Sequence, residues 1–120
     1  MPPLTVLVVE DEAEILEAVC HDFREAGLQV LEARNGIEAL AIINERPSFD
    51  ALFTDIVLGS GPDGWDVADA FRVFYKDKPV VYASAYSPAQ VRRVPNSLYC
   101  PKPYRPSTVR RAILKLSVAM

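Results

Sequence analysis

Glu10 and Asp11 follow the apolar run LTVLVV (4–9), Asp55 follows ALFT (51–54), Ser84 follows VVYA (80–83), and Lys102 stands just past LYC (98–100). Three carboxylates gathered at ~4 Å repel by several kcal/mol per pair at an effective dielectric of ~20. Such a cluster needs raised pKa values or a bound cation. Carboxylate oxygens that leave positions open for water and phosphate suit Mg²⁺. A carboxylate beside a dication and a lysine can attack a phosphoryl group and form an acyl phosphate, while metal and ammonium neutralise the charge on the phosphoryl oxygens. The Ser84 hydroxyl can donate to one of those oxygens. Pro101 and Pro103 flank Lys102 and stiffen the chain around it. Each residue also has a plainer reading: Asp11 or Ser84 as a helix cap, Asp55 as the start of a turn, Lys102 as a surface charge.

The elements that must carry these residues alternate along the chain. LTVLVV (4–9), LQVLEA (28–33), ALFT (51–54), VVYA (80–83) and LYC (98–100) read as strands. Between them lie amphipathic helices. The first spans 13–26, carries Ile15, Leu16, Val19 and Phe23, and is stopped by Gly27. Asn35 caps a second, which Pro47 ends. A third carries Trp65, Ala68, Phe71 and Tyr75. Pro88 and Pro95 make any helix over 87–95 short or irregular, and Pro106 opens a last helix through Val109, Ile113 and Leu116. Five β-α units imply an α/β fold: a five-stranded parallel sheet with helices on both faces. Ligands then gather beyond the carboxyl ends of the strands, where the five polar residues stand.

A length of 120 residues, half of them hydrophobic, suits a single domain over 1–120. No apolar stretch spans a membrane, and the start MPPLTVLVVED lacks signal-peptide features, so a cytoplasmic chain is expected. Cys20 and Cys100 are expected as buried thiols and His21 as a helix-surface residue without a metal partner one turn on. The net charge of −3 is unevenly spread. All 16 acidic residues and five of the 13 basic ones lie in 1–77, a balance of −11, while 78–120 holds eight basic residues and no acid. Such a split suggests a polar face turned to a partner, or simply a solvated basic helix.

Taken together, VVEDE (8–12), LFTDIVL (52–58), PDGW (62–65), PVVYASA (79–85) and YCPKPY (99–104) resemble the receiver domain of two-component response regulators (CheY-like) over the whole chain. TDIVLGSGPDGW and PKPY are similar to alphaproteobacterial receivers, stand-alone or fused to hybrid kinases. The resemblance implies the flavodoxin-like (βα)5 fold with strand order 2-1-3-4-5. It implies Asp55 as phosphoacceptor. It implies Mg²⁺ held by Asp11, Asp55 and the Val57 backbone carbonyl, with Glu10 acting mainly through water. Ser84 matches the phosphoryl-binding hydroxyl, Lys102 the partner of the phosphoaspartate, and Tyr99 the aromatic switch residue; a cis Lys102–Pro103 peptide is implied as well. The implied donor is a histidine kinase or a histidine phosphotransfer protein.

Departures from the family pattern are Glu10 in place of the commoner aspartate, Gly59 in place of proline, one extra residue before Gly64, and Arg105 where a capping aspartate is frequent. Tyr86, two residues after Ser84, is expected to slow dephosphorylation. With no residues left for an effector, output through a protein partner, without nucleic-acid or membrane contact, is expected. The acid-free end predicts a monomer or weak dimer. The chain is expected to catalyse only its own phosphorylation and dephosphorylation. Rival readings are a receiver-shaped scaffold that works unphosphorylated, an aspartate-nucleophile phosphatase, for which Val57 stands where a second aspartate is wanted, and a flavin module, for which Glu10, Asp11 and Glu12 replace the phosphate-cradling loop.

Overall fold

The structure is a computed structural model that describes residues 3–45, 47–84 and 94–118. Its elements are β1 (Thr5–Val9), α1 (Ala13–Glu25), β2 (Gln29–Ala33), α2 (Gly36–Asn44), β3 (Ala51–Asp55), α3 (Gly64–Phe74), β4 (Val80–Ser84), β5 (Ser97–Pro101) and α4 (Pro106–Val118). All strand pairs are parallel, in the order β2-β1-β3-β4-β5. The fold expected from the alternating pattern is therefore present. Segment 85–93, with Tyr86, Pro88 and most of the expected short helix, lies outside the described residues.

Period-two alternation in the strands divides the core between the two faces of the sheet. Leu7, Val9, Leu52, Val80 and Tyr82 pack against α2 and α3, where Ile43, Val67 and Phe71 are buried. Val6, Val8, Phe53, Val81 and Ala83 pack against α1 and α4, where Val19, Phe23, Val109 and Ile113 are buried. Burying each Val, Leu, Ile or Phe among these contributes about 1.5–3 kcal/mol. β3 and β4 are buried along their whole length, as central strands covered on both sides must be. β2 has one neighbour and is fully buried only at Ala33, because an edge strand has less to cover it.

Local signals set most boundaries. The Asn35 side chain accepts from the Glu38 amide at 2.8 Å and caps α2. Asp63 and Asp66 form a reciprocal capping box at the start of α3. Gly27 ends α1 with φ +90°, a conformation that favours glycine. α1 begins after Glu12, not Asp11, and without a side-chain cap, which leaves Asp11 available to the site. Arg105 offers no side-chain acceptor; its backbone carbonyl takes the Thr108 amide at 2.9 Å instead. Cys20 and Cys100 are buried and free. His21 is exposed on α1, as expected, but a carboxylate does stand one turn on: Glu25 lies 3.7 Å from its Nε2. Among the described residues no helix is long and apolar enough to cross a membrane.

Candidate functional site

The carboxyl ends of β1, β3, β4 and β5 meet at one edge of the sheet. Register pairs Val9 with Thr54, Asp55 with Ala83, and Ser84 with Pro101, so the residues after these positions are forced together. Glu10, Asp11 and Asp55 each place a carboxylate oxygen within 4.8 Å of the others. At that separation and an effective dielectric of ~20, each ionised pair repels by roughly 3 kcal/mol. Glu10 and Asp55 are buried, while Asp11 is exposed, so the cluster opens to solvent on one side.

Lys102 answers part of this charge. Its Nζ lies 2.7 Å from Asp55 Oδ2, and the pair is largely shielded from water. Burial alone would lower the lysine pKa, but the hydrogen bond to Asp55 and the charges of Asp55, Glu10 and Glu12 outweigh it and raise the pKa. The ammonium therefore stays charged. Asp55 Oδ1 accepts from the Val57 amide at 3.3 Å. Burial pushes the Glu10 carboxyl up to about 8; the amide of Glu12, 3.2 Å from Oε2, opposes this, and the charge of Asp55 adds to it.

The strand ends are also tied by backbone groups. The carbonyl of Ser84 accepts from the Lys102 amide at 2.9 Å and from the Tyr99 hydroxyl at 3.2 Å. This fixes the half-buried Tyr99 ring and the Lys102 turn relative to β4. Ser84 itself is buried at the end of β4, and Val57 is half exposed two residues past Asp55. The Lys102–Pro103 peptide is cis. Thus the structure brings Glu10, Asp11, Asp55 and Lys102 into direct reach, with Ser84, Val57 and Tyr99 at the border.

Three supporting residues escaped the sequence reading. Thr54 is buried and donates to the Asp55 carbonyl at 2.8 Å. Gly64 sits so close to Asp55 that a Cβ there would fall 2.1 Å from the Asp55 carbonyl oxygen. Tyr104 stands edge-on to Phe53, with ring centroids 5.5 Å apart, and its hydroxyl is buried. Only the PDG turn before α3 hinted at the second of these.

The cluster fits a hard divalent cation: oxygen donors, excess negative charge, and a fully buried Glu10 whose Oε1 has no hydrogen-bond partner among the described residues. A family model described as the response regulator receiver domain matches residues 6–113. A putative NtrX-like response regulator of Rickettsia felis is 32% identical over 87 residues, 72% of this chain and 18% of that protein. The transcriptional regulatory protein PrrA of Mycobacterium tuberculosis is 39% identical over 83 residues, 68% of this chain and 34% of that protein. The chain thus spans about a fifth to a third of the curated relatives it matches. A response regulator receiver protein of Sinorhizobium medicae superposes with a TM-score of 0.92 at 28% identity, over 98% of this chain and 96% of that one. The response regulator TrrA of Thermotoga maritima, solved with Mg²⁺ and BeF, gives 0.81 at 27% identity, over 94% and 98%. Rickettsia and Sinorhizobium match the alphaproteobacterial character read from TDIVLGSGPDGW and PKPY.

Proposed function

We propose a specific switch chemistry from the premise that this chain belongs to the response regulator receiver domain family, and so serves signalling by phosphoacceptance. Asp55 is the phosphoacceptor. The phosphoryl donor is a phosphohistidine on a histidine kinase or histidine phosphotransfer protein. An Asp55 carboxylate oxygen forms the new O–P bond as the P–N bond breaks, and the histidine nitrogen leaves with the electron pair. Glu10, Asp11, Asp55 and the Val57 carbonyl would hold Mg²⁺, with Glu10 acting mainly through water. Bound there, the ion supplies positive charge against the phosphoryl oxygens.

The chain's own groups do the rest. Lys102, 2.7 Å from Asp55, keeps its charge and supplies the second cation. Ser84 donates its hydroxyl to a phosphoryl oxygen. Because the Ser84 carbonyl also holds Tyr99 and the Lys102 turn, a shift of Ser84 toward the phosphoryl group releases the tyrosine. Phosphorylation then biases a two-state equilibrium that β4 and β5 already share. The state is read by a protein partner. The TrrA structure with Mg²⁺ and BeF supports the same ion and anion for this site.

The observation that carries the reading is the buried Asp55 carboxylate at the end of β3, held between Lys102 and the two carboxylates that follow β1. Incubation with acetyl phosphate and Mg²⁺, followed by intact mass, tests it. Wild type is expected to gain one phosphoryl group and Asp55→Asn none. A wild type that stays unmodified while folded, or an Asp55→Asn variant modified equally, sinks the assignment.

A further inference from the structure

Glu10 Oε1 and the Tyr104 hydroxyl are both shut off from solvent, and neither has a hydrogen-bond partner among the described residues. Leaving a buried donor or acceptor unmade costs the full desolvation of that group. The two atoms lie on the same side of the sheet. Glu10 continues the alternation of Val6 and Val8 toward α1 and α4, and the Tyr104 ring packs edge-on to Phe53 on that side. They are near enough for Glu10 to act on the phenol: burial first, then the charges of Glu10 and Asp55 and the contact with Glu10, raise the Tyr104 pKa. The phenol keeps its proton and is a donor facing an acceptor. Glu10's other oxygen, Oε2, is already taken by the Glu12 amide at 3.2 Å.

We propose that Tyr104 is a positioning residue of the acidic cluster: its hydroxyl donates to Glu10 Oε1 and fixes that carboxylate between α1 and the turn that carries Lys102. A small movement of the carboxyl end brings Oε1 within hydrogen-bond reach of the phenol, whose O–H then donates to it. The consequence rests on the switch reading above. Tyr104 lies two residues past Lys102, so one aromatic side chain links the cation that holds Asp55 to the carboxylates that would hold the ion. Outer groups that orient metal-binding carboxylates typically change metal affinity by about 10–100-fold when removed.

The test uses the whole chain. Tyr104→Phe keeps the ring on Phe53 and removes only the hydroxyl. Mg²⁺ titration followed by amide NMR shifts is expected to show binding weakened by about tenfold or more. Glu10→Gln is expected to weaken binding too, and the double variant to bind no worse than Glu10→Gln alone, because both changes break one contact. In metal-free protein, NMR is expected to show a slowly exchanging tyrosine hydroxyl proton that disappears in Tyr104→Phe and shifts in Glu10→Gln. Unchanged Mg²⁺ affinity in Tyr104→Phe, fully additive losses, or a Tyr104 hydroxyl in fast exchange with solvent each overturn the inference. Failure of wild type to bind Mg²⁺ or accept a phosphoryl group would instead remove the switch reading, and the metal-free hydroxyl signal would still decide the Tyr104–Glu10 contact.

Discussion

Glu10 is a carboxyl with an ordinary value of 4.5 pushed up to about 8, chiefly by burial. A raised acid favours folding in its neutral form. The stability linked to it is complete below about 4.5 and is lost as pH rises through about 8. A shift of this size corresponds to a few kcal/mol. Metal-free protein in chelator is therefore expected to become easier to unfold in urea between pH 5 and 8, and Glu10→Gln to flatten that slope; a parallel slope in the variant would remove Glu10 as its source. Saturating Mg²⁺ favours the ionised carboxylate, so it should erase the slope and release a proton on binding near neutral pH. Lys102 carries the complementary expectation. Removing its ammonium by Lys102→Ala leaves Asp55, which is buried, facing two carboxylates alone. Phosphoryl uptake from acetyl phosphate should slow by about tenfold or more, because one of the two positive groups at the phosphoryl oxygens is gone; an unchanged rate would place Lys102 outside the chemistry.

The site is an outcome of how elements terminate. α3 begins at Gly64, whose amide donates to the Ile56 carbonyl at 2.7 Å, and no side chain fits there: an added Cβ would lie 2.1 Å from the Asp55 carbonyl oxygen and 2.7 Å from Ile56 Cα. Gly64→Ala must move α3 away from β3 or displace Asp55. Thermal unfolding is expected to show a loss of about 1–3 kcal/mol, as for overpacked cores, with slower phosphoryl uptake; wild-type stability and rate would mean that α3 adjusts freely. This crowding was not legible in the sequence, where Gly64 read only as the end of a loop one residue longer than the family's. The gathering of Glu10, Asp11, Asp55, Ser84 and Lys102 was legible because each ends or follows an apolar run, and parallel strands deliver their carboxyl ends to one edge. The helix stops and caps at Gly27 and Asn35 were legible for a similar reason, since local conformation decides them. Contacts between residues remote in sequence were not. Tyr104 meets Phe53, and Arg110 meets Asp22 at 2.8 Å, only after α1 and α4 pack on the same face. LQVLEA was legible as a strand but not as an edge: β2 sits at the side of the sheet with Leu31 exposed.

Charge is segregated at the scale of the molecule. Residues 78–120 contain eight basic side chains and no acid, and on α4 and the turn before it Arg105, Arg111 and Lys115 are exposed. Arg110 is already engaged with Asp22 of α1. A two-fold dimer brings one patch against its own copy, so every charge in it meets a patch of the same composition. A face built on α4 and β5 would set arginine and lysine against arginine and lysine with no carboxylate from those elements to pair them. Salt at physiological strength screens exposed charges only beyond about 8 Å, more than the spacing across a close interface. Association through α4 and β5 is therefore opposed in the unphosphorylated chain, and the acidic first 77 residues offer complementary surface only to a differently arranged partner. Small-angle scattering across a concentration series at physiological salt is expected to give a monomer with a radius of gyration near the 12.7 Å of the Cα trace. Lowering the salt should strengthen the interparticle repulsion between these faces. A concentration-dependent dimer that dissociates on Arg111→Glu would show instead that this basic face finds an acidic counterpart on a second copy, and the charge argument against self-association would fail.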